Sequence, residues 1–90
     1  MSIKIVIPSF LQPFTTNFES VEVNGSSVSG CLNNLTKQFP DIEKMLFAKN
    51  GELISYVSIY VNGEDGYAEG LAKPVDNGDE LHIIIIIAGG

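Results

Sequence analysis

The chain has 90 residues, 44 % of them hydrophobic, which fits one small globular domain and is too apolar for a disordered segment. Eleven acidic residues stand against five lysines, for a net charge of −6. Nucleic acids and anionic membranes need clustered Lys or Arg to neutralise phosphate, so neither is an expected partner. A protein partner with a basic docking surface is compatible with this charge.

Cysteine use and hydropathy exclude further classes. Cys31 is the only cysteine, so neither an internal disulfide nor a paired-cysteine metal or redox site is expected. The opening MSIKIVIPSF has no basic segment before a long apolar run, as a signal peptide would. The isoleucine run near the end is far shorter than the ~20 residues of a membrane helix. We therefore expect a cytoplasmic protein.

The first third of the chain reads as two strands. Residues 2–7 alternate, with Ile3, Ile5 and Ile7 on one face and Lys4 and Val6 on the other. After a polar stretch, residues 18–23 (FESVEV) read as a second strand. Turns are predicted at the Asn-Gly pairs, because both residue types tolerate positive φ. These pairs are Asn24-Gly25, Asn50-Gly51, Asn62-Gly63 and Asn77-Gly78.

The middle of the chain predicts one main helix. The apolar residues recur at helical spacing, and they are Val28, Cys31, Leu32, Leu35 and Phe39. Ser26 or Ser27 can cap the start, and Pro40 marks the end. Asp41 can begin a further short turn. Cys31 lies on the apolar stripe, so it is interpreted as a small core residue rather than a nucleophile.

The last third predicts two main strands. Residues 55–61 (SYVSIYV) and 81–87 fit strands, residues 63–70 fit a loop or a minor strand, and residues 76–79 fit a tight turn. The first and last strands are the most continuously apolar, which suits neighbouring central positions and parallel pairing. We expect an α+β, ubiquitin-like β-grasp over residues 1–87: a mixed sheet of four to five strands with one main helix on one face.

The outer face of this sheet is a candidate partner surface. Leu81, Ile83, Ile85 and Ile87 are expected to face the helix, and the residues between them to face outward. Exposed apolar patches on monomers often mark partner sites. The candidate patch consists of Val6, Tyr56, Tyr60, Ile84 and Ile86. The alternative is a patch covered by a loop or left exposed without a role. His82 is interpreted as a surface residue of the same strand.

The chain ends in Ala88-Gly89-Gly90, which we expect to be a flexible tail. Glycine has no Cβ, so a Gly-Gly end can enter a channel too narrow for side chains and present its carboxylate to another enzyme. The alternative is a frayed terminus without chemistry. Within the sequence we find no constellation for catalysis and no set of metal ligands, so the protein is not expected to be an enzyme.

Four segments in order show a family resemblance: the strand ending at Pro8 with Leu11, the helix before Pro40, the runs YVSIYVNGED and GLAKPVDNGDEL, and the terminal AGG. The chain resembles the ThiS/MoaD sulfur-carrier family, whose members are β-grasp proteins ending in Gly-Gly. The IYVN, ED and GLA stretches look most like the carriers of cysteine biosynthesis.

The resemblance implies a mechanism and a set of partners. A ubiquitin-activating-type enzyme would use ATP to adenylate Gly90, and a sulfur donor would displace AMP to give a thiocarboxylate. Gly89 and Ala88 would form the narrow segment that enters the active site of the activating enzyme. No cofactor would be bound permanently. A downstream synthase would accept the sulfur, and a metalloprotease that trims or releases the tail is a further implied partner.

Several functions remain open at this point. The sulfur would serve cysteine or methionine synthesis; alternatively the chain is the small subunit of molybdopterin synthase or a thiamine thiazole carrier. A non-catalytic ubiquitin-like interaction module is another alternative, and conjugation of the tail to other proteins is a fourth.

Overall fold

The computed structural model describes residues 2–65 and 70–85. Within these residues there are five strands: β1 (Ser2–Val6), β2 (Ser20–Asn24), β3 (Val57–Val61), β4 (Glu64–Asp65) and β5 (Glu80–Ile85). Two α-helices, α1 (Val28–Gln38) and α2 (Glu43–Leu46), lie between β2 and β3. Short 3-10 helices cover Ser9–Thr15, Pro40–Ile42 and Gly70–Ala72.

The strands form one mixed sheet in the order β2-β1-β5-β3-β4. β1 pairs with β2 in antiparallel fashion and with β5 in parallel fashion, with Ile5 opposite Leu81. β5 is antiparallel to β3, with Ile59 opposite Ile83. The predicted parallel contact between the first and last strands is confirmed, and so is the β-grasp architecture.

Helix α1 forms as its capping residues and apolar spacing predict. The Ser27 side chain accepts a hydrogen bond from the Gly30 N–H at 3.1 Å, so Ser27 is the N-cap. The helix ends at Gln38, before Phe39 and Pro40. Its buried residues are Val28, Cys31, Leu32 and Leu35. Phe39 instead caps the helix, half-buried, and its ring packs edge-on against Phe18.

The core lies between this apolar stripe and the inner face of the sheet. Ile3, Ile5 and Leu81 are fully buried there, together with Leu32 and Leu35 of α1. The helix approaches β2 closely at Gly25, where an added Cβ would stand 2.6 Å from Cys31 Sγ and 2.9 Å from the Cys31 backbone nitrogen. Cys31 is fully buried, which confirms its interpretation as a core residue.

Two local features differ from the sequence-based expectation. The polar stretch after β1 is ordered as the 3-10 helix Ser9–Thr15, and it buries Leu11 and Thr15. The Thr15 hydroxyl lies within hydrogen-bond distance of the Gln12 and Phe18 carbonyl oxygens, which satisfies it inside the protein. Ser58 also lies on the outer face of β3 but is only 4 % exposed.

Candidate functional site

The end of β5 is the part of the fold nearest in sequence to the Gly-Gly terminus. Ile85, the last described residue, pairs with Val57 at the start of β3. Because β1 and β5 are parallel neighbours, the C-terminal end of β5 lies at the same end of the sheet as the C-terminal end of β1. The predicted tail residues Ala88, Gly89 and Gly90 lie outside the described residues, as does Ile86.

The four described residues of the candidate patch lie on or beside the outer face of the sheet. Val6 and Tyr60 flank β5 on either side at the level of His82, and both are half-buried. Ile84 is 36 % exposed, and Tyr56, just before β3, is 44 % exposed. Val6, Tyr60 and Ile84 thus share one face, which leaves partner binding by this patch as a prediction.

The centre of this face is polar: His82 lies on the outer face as expected, but its contact with Glu80 was not predicted. His82 Nε2 lies 2.6 Å from Glu80 Oε1, and Lys4 Nζ lies 3.9 Å from Glu80 Oε2. These side chains are each 35–50 % exposed. The strand period could have found this contact, because residues two apart on a strand point to the same side. The predicted strand began at Leu81, one residue after Glu80, so the contact was not predicted.

The start of β5 is held by a second polar group, here called the Asn62–Asp79 network: Asn62, Asp76, Asp79 and Glu80. Asn62 Nδ2 donates to Asp79 Oδ1 at 3.0 Å, and Asn62 Oδ1 accepts from the Glu80 N–H at 2.9 Å. The Asp76 N–H donates to Asp79 Oδ2 at 2.8 Å. Both oxygens of the Asp79 carboxylate are therefore occupied.

The same network changes the electrostatics of Asp79. The Asp76 N–H and the Asn62 amide donate to the carboxylate, and Lys73 adds a favourable charge; together they lower the pKa of Asp79 below its usual value. Hydrogen bonds to the ionised form stabilise it relative to the protonated form. The network is therefore strongest when Asp79 is charged.

Asn62 is suited to this position by its backbone. Its φ is +52°, in the left-handed region, and Gly63 follows at +84°. This pair forms the tight turn between β3 and β4, and asparagine and glycine are the residues that such turns favour. The turn directs the Asn62 side chain toward β5, seventeen and eighteen residues further along the chain.

The other titratable candidates do not build a reactive site in the part of the chain that the structure describes. Burial raises the pKa of the Cys31 thiol, which disfavours the thiolate that nucleophilic or metal-binding chemistry requires. Among residues 2–65 and 70–85, no three His, Cys, Asp or Glu side chains are grouped to hold a metal ion.

Comparison with known proteins places this geometry in a family. The ThiS family profile matches residues 5–90, almost the whole chain. The chain belongs to the ThiS family. The sulfur carrier protein CysO of Mycobacterium tuberculosis is 32 % identical over 93 residues, covering 100 % of both chains. This match agrees with the expected resemblance to sulfur carriers.

Solved structures agree with the fold. A chain of the BexX/CysO complex from Amycolatopsis orientalis matches with a TM-score of 0.89 at 30 % identity, covering 98 % of this chain and 99 % of that one. SAMP1 of Haloferax volcanii, a small archaeal modifier protein, matches with a TM-score of 0.86 at 25 % identity, covering 100 % of both chains. The first of these relatives was crystallised in a complex with a second protein.

The described residues were also searched for membrane-spanning elements. None of the helices within residues 2–65 and 70–85 has the length and apolar character needed to cross a bilayer.

Proposed function

We propose that this ThiS-family protein is a sulfur carrier whose C-terminal Gly90 is adenylated and converted to a thiocarboxylate. The observation that carries the proposal is the family match, which extends through the terminal Gly-Gly. The full-length similarity to CysO supports it. The position of β5 as a central strand adds a physical reason, because a central strand gives the following segment a fixed base.

The conversion of the Gly90 carboxylate to a thiocarboxylate proceeds in two steps. A carboxylate oxygen of Gly90 attacks the α-phosphorus of ATP, which forms an acyl-adenylate and releases pyrophosphate. A sulfur donor then attacks the acyl carbon, the bond to AMP breaks, and AMP leaves as the thiocarboxylate forms. The activating enzyme supplies catalysis and ATP, so this chain serves as a co-substrate and holds no permanent cofactor.

The outer sheet face is the surface that we assign to the activating enzyme. Val6, Tyr60 and Ile84 supply apolar area on this face, and Glu80 and His82 supply polar contacts in its centre. A mixed apolar and polar surface of this kind is typical of transient interfaces. Tyr56, which is exposed just before β3, would extend this surface.

Incubation with the organism's activating enzyme, ATP and a sulfur source tests the chemistry. Intact-mass spectrometry is expected to show a gain equal to the mass difference between sulfur and oxygen. A variant lacking Gly90 is the matched control and should gain nothing. The proposal is wrong if the full chain gains no mass with any activating enzyme of that organism.

Cysteine or methionine synthesis is the proposed use of the sulfur, because CysO matches this chain over its full length. Supplying the thiocarboxylate form to the organism's sulfur-accepting synthases should yield the product amino acid with one of them. Stable co-purification with a large molybdopterin synthase subunit, or transfer into a thiazole, would instead favour the other carrier types.

Protein modification is a second candidate, favoured by the similarity to SAMP1. In that case the activated Gly90 carbonyl would be attacked by a lysine amine of a target, which gives an isopeptide bond and releases AMP. Extracts probed for this chain would then contain adducts of higher mass that disappear when Gly90 is deleted. An interaction module without tail chemistry would function unchanged after the same deletion.

A further inference from the structure

The apolar pattern of β5 does not define one pairing register. Leu81 and Ile83 face the core and are 0 % and 2 % exposed, and Ile85 is half-buried. A slip of two residues keeps the same side chains facing inward. It would put Ile83 in the place of Leu81 and Ile85 in the place of Ile83. Exchanges of Leu and Ile conserve volume and are among those a core tolerates best.

β5 can slip in only one direction without burying a charged side chain. Moving β5 toward its C-terminus would put Asp79 in the fully buried place of Leu81, and an isolated buried carboxylate is strongly disfavoured. The opposite movement puts Leu81 in the place of Asp79 and buries no charge. Because residues 83–87 are all isoleucine, this second movement keeps the core positions of the strand filled.

The backbone hydrogen bonds at the start of β5 discriminate weakly between these registers. The Asn62 N–H donates to the Glu80 carbonyl at 2.8 Å, and the Lys4 N–H donates to the Asp79 carbonyl at 3.2 Å. Any residue that takes these places can replace such backbone partners. The carboxylate of Asp79 is different, because Leu81 in its place could accept nothing from the Asn62 amide or the Asp76 N–H.

A second contact anchors the turn before β5 in the same register. The Ser2 N–H donates to Asn77 Oδ1 at 2.8 Å, and the Gly78 N–H donates to the Ser2 carbonyl at 2.9 Å. Slipping β5 pushes two extra residues into this turn and separates these partners. Polar contacts at the start of the strand therefore favour the observed register where the isoleucines do not.

We propose that the Asn62–Asp79 network sets the register of β5 and so determines how far the Gly-Gly terminus reaches. The consequence for Gly90 rests on the proposed sulfur-carrier function. A strand advances about 3.3 Å per residue, so a slip of two residues would shorten the reach of the terminus by about 7 Å. Asn62 and Asp79 are thus positioning residues for the acyl group, although they lie at the opposite end of the strand.

The first test removes the network from the full-length chain. In Asn62→Gly/Asp79→Ala, glycine retains the positive φ of the turn while both side-chain contacts are lost. In the wild-type register NMR should show cross-strand contacts of His82 with Val6 and Tyr60. The variant is expected to add directly paired backbone contacts of Ile84 with the same two residues, which are only diagonal neighbours of Ile84 in the wild-type register. Their share should be about 10 % or more, the upper end for a minor state.

Wild-type contacts alone in the folded double variant would overturn the proposal. If that variant does not fold, a second variant, Leu81→Asp, tests the proposed register. In the observed register this change buries a carboxylate, but after the slip the introduced carboxylate takes the place of the Asp79 side chain beside Asn62. Leu32→Asp is the matched control, because Leu32 is equally buried and a slip of β5 cannot expose it. We expect Leu81→Asp to fold with the shifted contacts and Leu32→Asp to unfold; unfolding of both would count against the proposal.

The last experiment tests how far the Gly-Gly terminus reaches, not how stable the protein is. Folded Leu81→Asp should form thiocarboxylate about 100-fold more slowly or worse, since small misplacements of a reacting group can have effects of this size. Inserting two glycines between Ala88 and Gly89 should restore the rate, which a merely destabilised chain would not show. If the inserted glycines do not restore the rate, the proposed link between the register of β5 and the reach of the terminus is wrong. If the wild type itself forms no thiocarboxylate, the proposed function fails while the NMR result on register stands.

Discussion

The two faces of β5 belong to one strand but meet different surroundings. Leu81 and Ile83 face α1 and are buried, whereas His82 and Ile84 face outward and are partly exposed. The inward residues are close-packed on every side, so their contribution is to stability. The outward residues have neighbours in the sheet and remain partly exposed.

Residues that stabilise the fold and residues that are available for partner binding therefore alternate along β5. At positions 83 and 84 the strand presents the same side chain, isoleucine, to the two faces, so side-chain chemistry does not distinguish these two positions. The distinction comes from the position of α1 on one side of the sheet only. Substitutions of the same type at neighbouring positions should therefore have opposite consequences.

The largest expected effect is the contrast between Ile83→Ala and Ile84→Ala. Ile83→Ala removes buried volume and should lower the free energy of unfolding by about 2–5 kcal/mol. Ile84→Ala is expected to change it by at most about 0.5 kcal/mol, as for most surface substitutions. Chemical denaturation of both variants measures this contrast.

The rate of thiocarboxylate formation should show the reverse order of effects for the two variants. It is measured at a temperature where both variants are folded. Ile84→Ala should slow it through loss of contact with the activating enzyme, and Ile83→Ala should leave it nearly unchanged. Equal losses of stability for the two variants would contradict the assignment of faces.

A smaller effect on the inner layer is expected at Gly25. Gly25→Ala places a Cβ 2.6 Å from Cys31 Sγ and 2.9 Å from the Cys31 nitrogen, and such overpacking typically costs about 1–3 kcal/mol. Cys31→Ala removes the sulfur contact but leaves the backbone contact. The double variant should therefore recover only part of the loss in thermal unfolding. Full recovery would mean that the helix backbone can move away from β2.

The inner layer was largely predictable from the sequence. The alternation in residues 2–7 and the helical spacing from Val28 to Leu35 both give a direct periodic signal. Two continuously apolar strands at opposite ends of the chain predicted the central parallel pair. The 3-10 helix Ser9–Thr15 was not predicted, because Pro13 and the following Thr-Thr-Asn are typical of loops. Its order depends on Leu11 and Thr15 packing into the core.

The polar contacts of the site were harder to predict because they join distant residues. Asn62-Gly63 was correctly interpreted as a turn, but a turn signal does not show which strand the side chain will meet. The predicted last strand began at Leu81, so Glu80 lay outside it and its contact with His82 was not predicted. The candidate patch was correctly placed on one face at Val6, Tyr60 and Ile84.

An effect of about 1 kcal/mol is expected at the start of α1. Ser27→Ala removes the side chain that accepts from the Gly30 N–H, and loss of such a cap typically lowers stability by this amount. Ser27→Asp is the matched control, since a carboxylate can accept the same bond. Denaturation midpoints should fall for alanine and stay near wild type for aspartate. Since α1 covers only the inner face, neither variant should alter the activation rate of the folded protein.

The smallest expected effect is the pH dependence contributed by Asp79. The pKa of Asp79 is lowered in the folded protein, first by the Asp76 N–H and then by the Asn62 amide. A carboxyl group with a lower pKa in the folded state contributes stability that is fully present above its unfolded pKa, about 3.9. This contribution is lost as the pH falls through the lower folded pKa. Asp79→Asn should therefore unfold at a lower temperature than wild type at pH 7.

The difference in unfolding temperature between wild type and Asp79→Asn should shrink as the pH is lowered below about 4, where the wild-type carboxylate also becomes neutral. Glu19→Gln, at an exposed residue of the loop before β2, controls for the general effect of removing one charge. A difference that stays constant from pH 7 to pH 2 would mean that the ionised carboxylate is not what stabilises the start of β5. In that case the polar anchor at the start of β5 would reside in the contact between Ser2 and Asn77.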